Sequence, residues 1–515
     1  MLKTDPLYPG RLVLSVTAIA EPQEARYDPL DFYTSTGLNQ RPGPLLLSDS
    51  AMAQPQEARY DPLDFYTRTY LNQCPRRVMF SVNAMAQPQE ARYGHLEFCT
   101  STGLNQYPGP LLLSDSAMAQ PQEARYDPLD YCTRTYLNQC TDTLFESLVK
   151  PAGYPMESHV TETEDRYILK LFRVQKKNGQ IVSGKPVVLL QHGLLDSADN
   201  WVINGDTGSL AFVLANAGYD VWLSNSRGNK YSRLHTIFTP DDAVFWNYGY
   251  QEMGKFDIKA NIDYILKVTN QAKLTYVGHS QGTSQMFAAL GTKSSADYVN
   301  SKVKKFIALA PIVYLANSPS KFFQGLSKGN LFINAAKMLN FNEWFPWQCN
   351  QTSALSQFQQ YLSTMPQFCN FLLSFADYNP TYDNINLMPL IAKHTPSGTS
   401  LRTLLHYQQS FIQNDKFHPT FSKYDFGEEE NLVIYGSETP PEFDLSLINI
   451  PIRGFVGLED TFSNPTDSNL LKAKLLSLNK DYKDYMYNDC GHMTFMWALN
   501  PYPMFQHIMG EIGAA

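Results

Sequence analysis

From Pro186 to the C-terminus, short apolar runs alternate with longer stretches of mixed polarity. β-Branched and aromatic residues gather at Val187–Gln191, Asp220–Asn225, Leu274–Val277, Phe306–Ala310 and Ile452–Val456, and each run predicts a buried strand. The stretches between them carry helical spacing, as in Thr283–Leu290 with its alanines and its apolar residues on one face. Strand, loop and helix in repeated succession predict an α/β fold built on a mostly parallel, doubly wound sheet. Upstream, Thr141–Lys150 predicts an amphipathic helix closed by Pro151 and Gly153, and His159–Arg173 predicts two strands about an acidic turn. Residues 313–430 break the rhythm with an aromatic, Phe- and Asn-rich, largely helical insertion. Its pairs Phe322-Phe323, Leu331-Phe332 and Met338-Leu339, with Phe345 and Trp347, recur at spacings that give helices an apolar face. The expected organisation is a core split between residues 141–312 and 431–515, with a helical cap or lid at 313–430.

Residues 1–140 follow a different pattern. Ala18, Ala51, Ala84 and Ala117 open four copies of one unit at a period of 33, and a second layer of similarity has a period of 66. Such a period suggests ankyrin or helical-hairpin arrays, but neither a T-P-L-H nor a W-x-x-L-G pattern occurs, and prolines interrupt every unit. Differences such as Phe65 against Tyr131 and Tyr66 against Cys132 disregard polarity. Apolar skeleton and polar surface are equally frozen, as recent duplication leaves them. The region is therefore expected to be a poorly ordered extension or a gene-model artefact rather than a folded interaction repeat. The apolar run ending at Ala18-Ile19-Ala20 mimics a signal-peptide cleavage site, but it recurs as Leu111–Ala119 and belongs to the repeat.

Composition narrows the classes without choosing among them. Across 515 residues, 43% apolar and 17% charged suit a globular protein with a large core. A net charge of −8 argues against a nucleic-acid partner. No apolar run reaches the length of about eighteen residues that a transmembrane segment needs. Of the seven cysteines, Cys74, Cys99, Cys132 and Cys140 fall in the repeats, and Cys349, Cys369 and Cys490 fall beyond them. Their odd number and irregular spacing form neither a disulfide scaffold nor a zinc site. Cys349 and Cys369 pair only in an oxidising compartment, and otherwise read as buried thiols.

The chemistry is carried by Gly278-His279-Ser280-Gln281-Gly282. Strand before, G-x-S-x-G, helix after is the setting a nucleophile elbow requires. A serine hydroxyl is a weak nucleophile at neutral pH, so it needs a histidine in contact and a carboxylate to orient that histidine. In this arrangement the chain order is Ser, then Asp or Glu, then His. Of His394, His406, His418, His492 and His507, only His492 lies in a loop between a strand-like segment, Asp484–Tyr487, and a helix. Asp460 ends the Ile452–Val456 strand and is the candidate carboxylate; Glu459 points elsewhere, and Asp467 is expected to cap a helix beginning near Ser468. The turn after Val187–Leu190 offers the backbone N–H of Leu194, which with that of Gln281 makes a candidate oxyanion hole.

These segments resemble the acid lipase family, the gastric and lysosomal lipases. Gln191-His192-Gly193-Leu194-Leu195-Asp196-Ser197-Ala198-Asp199-Asn200-Trp201 is similar to the family's Q-H-G-L-L-x-S-x-x-N-W signature. Gly218–Asn229, Gly278–Thr283, Phe245-Trp246, Glu252-Met253 and Asp257 extend the likeness, which runs from about Thr141 to the C-terminus. The resemblance implies an α/β-hydrolase with a helical lid that hydrolyses neutral lipid esters, either triacylglycerols or steryl esters, at a transient lipid/water interface. It implies no metal or organic cofactor, and a secreted or lysosomal setting. Position by position, Ser280, Asp460 and His492 match the family's triad, and Leu194 and Gln281 its oxyanion hole. Two departures stand out: Thr494 replaces the usual aspartate after the histidine, and Gly457-Leu458-Glu459-Asp460 replaces G-G-x-D. Cys349 and Cys369 do not obviously reproduce the lid disulfide, and Asn350-Gln351-Thr352 is a glycosylation acceptor only on the secretory route. A soluble carboxylesterase or acyltransferase, and a non-catalytic hydrolase-fold interaction protein, are the competing readings.

Overall fold

The apolar runs pair edge to edge in one sheet. The computed structural model describes residues 2–4, 12–14, 142–328, 342–345, 377, 382–413 and 415–513. The chain divides into two units, 1–120 and 121–515. In the first, Leu2–Thr4 pairs antiparallel with Leu12–Leu14. The reading of the repeats otherwise lies outside the described residues, as do Cys349, Cys369, the Asn350–Thr352 acceptor, Leu331-Phe332, Met338-Leu339 and Trp347.

In the second unit the sheet has nine strands. They are β1 (Met156–Glu162), β2 (Tyr167–Val174), β3 (Val187–Gln191), β4 (Asp220–Ser224), β5 (Leu234–His235), β6 (Leu274–His279), β7 (Val303–Leu309), β8 (Ile452–Gly457) and β9 (Tyr482–Tyr487). The spatial order is β9-β8-β7-β6-β3-β4-β2-β1, with β5 paired to β2. Neighbours from β9 through β4 run parallel, and β2, β1 and β5 are joined by antiparallel ladders. The sheet is thus mostly parallel, as the alternation of runs predicts.

β3, β4, β6 and β8 are buried at every position, because parallel strands joined by helical crossovers are covered on both faces. Alternate side chains enter opposite layers. Val188, Leu190, Val221, Leu223 and Val277 join one apolar cluster with Phe145, Phe212, Phe505 and Ile508. Val187, Leu189, Trp222, Leu274 and Tyr276 join another with Ile258, Ile262, Ile265, Met286, Leu471 and Leu475. The helices that supply these partners include α1 (Asp142–Val149), α2 (Leu210–Asn216), α3 (Ile258–Thr269), α4 (Gln281–Leu290), α5 (Lys321–Lys328), α6 (Leu401–Phe411), α7 (Pro465–Ser477) and α8 (Tyr502–Gly513).

One helix start differs from expectation. Asp467 is not the cap: α7 begins at Pro465, and the side chain of Asn464 accepts the N–H groups of Thr466 and Asp467. Proline opens a helix without loss because its missing N–H has no partner there in any case, so the start moves upstream of Asp467. The Asp467 carboxylate accepts the Asn317 backbone N–H at 3.1 Å and its side-chain amide at 2.8 Å.

In the insertion, α5 and α6 pack against the core, and Glu343–Trp344 pairs with Thr399–Ser400. Phe323 is buried among Tyr407, Phe411 and Phe462, Phe322 is half-buried, and Phe345 is 45% exposed. No helix among the described residues is long and apolar enough to cross a membrane.

Candidate active site

β6 ends at His279 and α4 begins at Gln281, leaving Ser280 alone to make the turn, at φ +53° and ψ −118°. Positive φ is uncommon for a side-chain-bearing residue and is held here by its surroundings. The Ser280 N–H donates to Leu309 O at 3.0 Å, and Ser280 O accepts from Thr283 N–H at 2.8 Å. A Cβ on Gly278 would stand 2.8 Å from the Gly282 carbonyl, and one on Gly282 would overlap the backbone oxygen of Gln191. Both glycines are required by this close approach of three backbones.

His492 spans the gap between Ser280 and Asp460. Its Nε2 is 2.7 Å from Ser280 Oγ and its Nδ1 is 2.8 Å from Asp460 Oδ2. A carboxylate only accepts, so Nδ1 carries the hydrogen and Nε2 is left to receive the serine proton. Ser280, His492 and Asp460 are 7%, 2% and 0% exposed. The other Asp460 oxygen accepts N–H groups from Phe462 at 2.7 Å and Ser463 at 2.8 Å, which fixes the plane of the carboxylate.

Other candidates go elsewhere. His394 bonds Asp199, His406 stacks on Tyr250 and bonds Ser422 O, His418 lies exposed beside Asp415, and His507 meets Tyr487. Asp467 is engaged with Asn317 and Asn464.

The turn after β3 passes against the serine: a Cβ on Gly193 would lie 3.1 Å from Ser280 Cβ. Leu194 follows it, and the Gln281 N–H, at a helix start, has no intrahelical acceptor. His192 is buried and pulled down to about 4 by loss of solvation, and its Nε2 accepts the Ser226 N–H at 3.0 Å. Further along, Asp199 accepts from Lys230 Nζ at 2.5 Å and from Tyr231 OH at 2.6 Å. The Lys230 ammonium also donates to His394 O at 2.7 Å, so a buried charged knot ties this turn to the insertion.

Three features escape a reading of the sequence. His279 donates from Nε2 to His492 O at 2.9 Å, a role its place inside the elbow motif could have suggested. Thr494 Oγ1 accepts the Gly491 N–H at 2.9 Å, so the departure at this position still holds the loop. Asp377, from the insertion, accepts the His492 N–H, and nothing in its local sequence announces this. Cys490 is buried, and burial pushes its thiol well above its usual range. Among the described residues no group of His, Cys, Asp and Glu side chains is arranged to hold a metal. The groups brought together at Ser280 are able to activate a hydroxyl and to take up its proton.

Comparison with known proteins agrees with this architecture. The family model described as alpha/beta hydrolase fold matches residues 186–499, and that of the partial alpha/beta-hydrolase lipase region matches residues 145–205. Gastric triacylglycerol lipase of Mus musculus is 36% identical over 364 residues, covering 69% of this chain and 88% of the mouse protein. Gastric triacylglycerol lipase of Homo sapiens is 36% identical over 371 residues, covering 70% and 88%. Lipase 1 of Drosophila melanogaster is 32% identical over 369 residues, covering 71% and 79%. With the family model spanning more than half of the chain and relatives above 30% identity along most of their own length, the chain belongs to the α/β-hydrolase lipase family that includes the gastric lipases.

Proposed function

We propose that the protein is a serine lipase that hydrolyses carboxylic ester bonds of neutral lipids, triacylglycerols or steryl esters, through an acyl-enzyme. The observation that carries this reading is the unbroken hydrogen-bonded chain Ser280–His492–Asp460 at 2.7 and 2.8 Å. Ser280 Oγ attacks the ester carbonyl carbon while its proton moves to His492 Nε2, and Asp460 stabilises the resulting imidazolium. The carbonyl oxygen becomes an oxyanion, received by the N–H groups of Leu194 and Gln281; one such donor is worth roughly 10²–10³ in rate. Collapse expels the alcohol, which takes the proton from Nε2. A water molecule then repeats the sequence and releases the fatty acid.

The similarity to gastric triacylglycerol lipases favours glycerides as the substrate class, and the secretory route or lysosome as the setting. A carboxylesterase or acyltransferase would use the same groups and differ in acceptor and substrate solubility. Hydrolysis measured against increasing long-chain triglyceride separates them. A lipase rises in rate beyond the solubility limit, whereas an esterase saturates before it.

A further inference from the structure

Beneath the His492 loop lie two carboxyl groups from the insertion, Asp377 and Asp383, 1% and 2% exposed. Asp377 Oδ1 accepts the His492 backbone N–H, and Oδ2 accepts that of Met493 at 3.4 Å. The Asp377 backbone also forms an antiparallel bridge with Asp460. One residue of the insertion thus grips both the loop that carries the histidine and the residue that orients its ring. Gly491 is shaped to this grip, since a Cβ there would overlap the Asp377 carboxyl.

We infer that Asp377 is a positioning residue, holding the His492 backbone against Asp460 so that the imidazole reaches both Asp460 and Ser280. This rests on the reading of Ser280, His492 and Asp460 as the triad. The insertion would then complete the site as well as cover it, because the histidine loop takes its anchor from residue 377.

The protonation state follows from what surrounds the loop. His492 is faced by Asp460 beyond β8, by Asp377 and Asp383 from the insertion, by His279 at the end of β6, and by Cys490 on its own loop. Three carboxyls in one dry pocket cannot all carry charge. Burial, with Asp383 and Asp460 nearby, raises Asp377 well above the carboxylate range, while burial raises Asp383 to about 6. Burial therefore favours the neutral Asp377 carboxyl, whose carbonyl oxygen is enough to accept the His492 N–H. A carboxamide oxygen reproduces that acceptor and gives up only the 3.4 Å contact from Met493 N–H.

The test compares Asp377→Ala and Asp377→Asn with the full-length wild type on a dissolved short-chain ester, with folding checked by near-UV circular dichroism. Loss of the grip should lower kcat of Asp377→Ala on the order of 10²-fold, as small misplacements of a catalytic group do. KM should stay near wild type. Asp377→Asn should recover most of kcat, with the acid limb of the kcat/KM profile unmoved, because one neutral acceptor replaces another. The inference is overturned by full kcat in Asp377→Ala, by a loss confined to KM, or by Asp377→Asn failing as badly as alanine while folded. A fall of the acid limb in Asp377→Asn also overturns it, since residue 377 would then act on His492 through its charge rather than through the grip. A wild type inert toward esters dismisses the hydrolase reading itself, whereas an active wild type with an active alanine variant dismisses only the positioning role.

Discussion

Phe462 stands edge-on to the ring of His492, with 4.8 Å between centroids. On its other side Phe462 meets Phe323 at 5.1 Å and Phe322 at 5.9 Å, so α5 of the insertion reaches the histidine through a single aromatic ring. The two phenylalanines of α5 are not equivalent. Phe323 is 3% exposed, and Phe323→Ala should cost about 3–5 kcal/mol of stability, as deletion of a buried ring does. Thermal unfolding measures this, and short- and long-chain substrates should suffer together. Phe322 is only half-buried, so Phe322→Ser should spare a dissolved ester and depress hydrolysis of emulsified long-chain lipid. Equal losses on both substrates would return Phe322 to the core.

Ser280→Ala removes the proposed nucleophile while leaving the elbow glycines in place. Ester hydrolysis should fall on the order of 10⁶-fold with an unchanged unfolding transition. Asp460→Asn should lose about 10⁴-fold in kcat by favouring the wrong histidine tautomer. Asp467→Asn, beside Asn317 rather than His492, should leave kcat near wild type. Greater damage at 467 than at 460 would reassign the carboxylate.

Asp196, in the turn after β3, gives the stability a pH dependence. Burial raises its carboxyl to about 7, against hydrogen bonds from the Ser197 N–H and the Asn200 side chain that favour the anion. An unfolded aspartate ionises near ~3.9, so the folded state binds this proton more tightly. The resulting stabilisation is complete below the unfolded value and is lost as pH rises through about 7, with an upper bound of about 4 kcal/mol. Asp196→Asn should remove the effect, raising the unfolding midpoint relative to wild type at alkaline pH more than at acidic pH. Midpoints that track each other across the range would discard this role for Asp196.

All nine strands of the sheet come from residues 156–487. A protein beginning near Asn138 should therefore fold and hydrolyse esters at the rate of the full chain. Expression of the shortened chain with calorimetry and an ester assay decides this, and failure to fold would mean that the repeats contribute to the hydrolase unit.

Several pieces of this molecule are local, and the chain states them openly. Val187–Gln191 reads as a strand because four of its five residues are apolar and can be covered on both faces, and the observed strand has those bounds. The elbow is legible because its steric demand falls on Gly278 and Gly282, two residues either side of Ser280. Edges were less visible. β7 starts at Val303 rather than Phe306, since Lys304 and Lys305 interrupt the apolar run while the ladder with β6 extends across them.

What the sequence determined by itself was the α/β alternation and the elbow, because each rests on sterics and polarity within a few residues. Only the tertiary structure decided which groups meet. It brings His492 to Ser280 across 212 residues and to Asp460 across 32, and it directs Asp467 to Asn317 instead. It also sets Asp377 under the histidine loop, 115 residues away along the chain. Such meetings depend on how strands stack into a sheet and how an insertion folds back over it. A hydrogen bond of that kind leaves no periodicity in the chain, because its two ends are fixed by different elements.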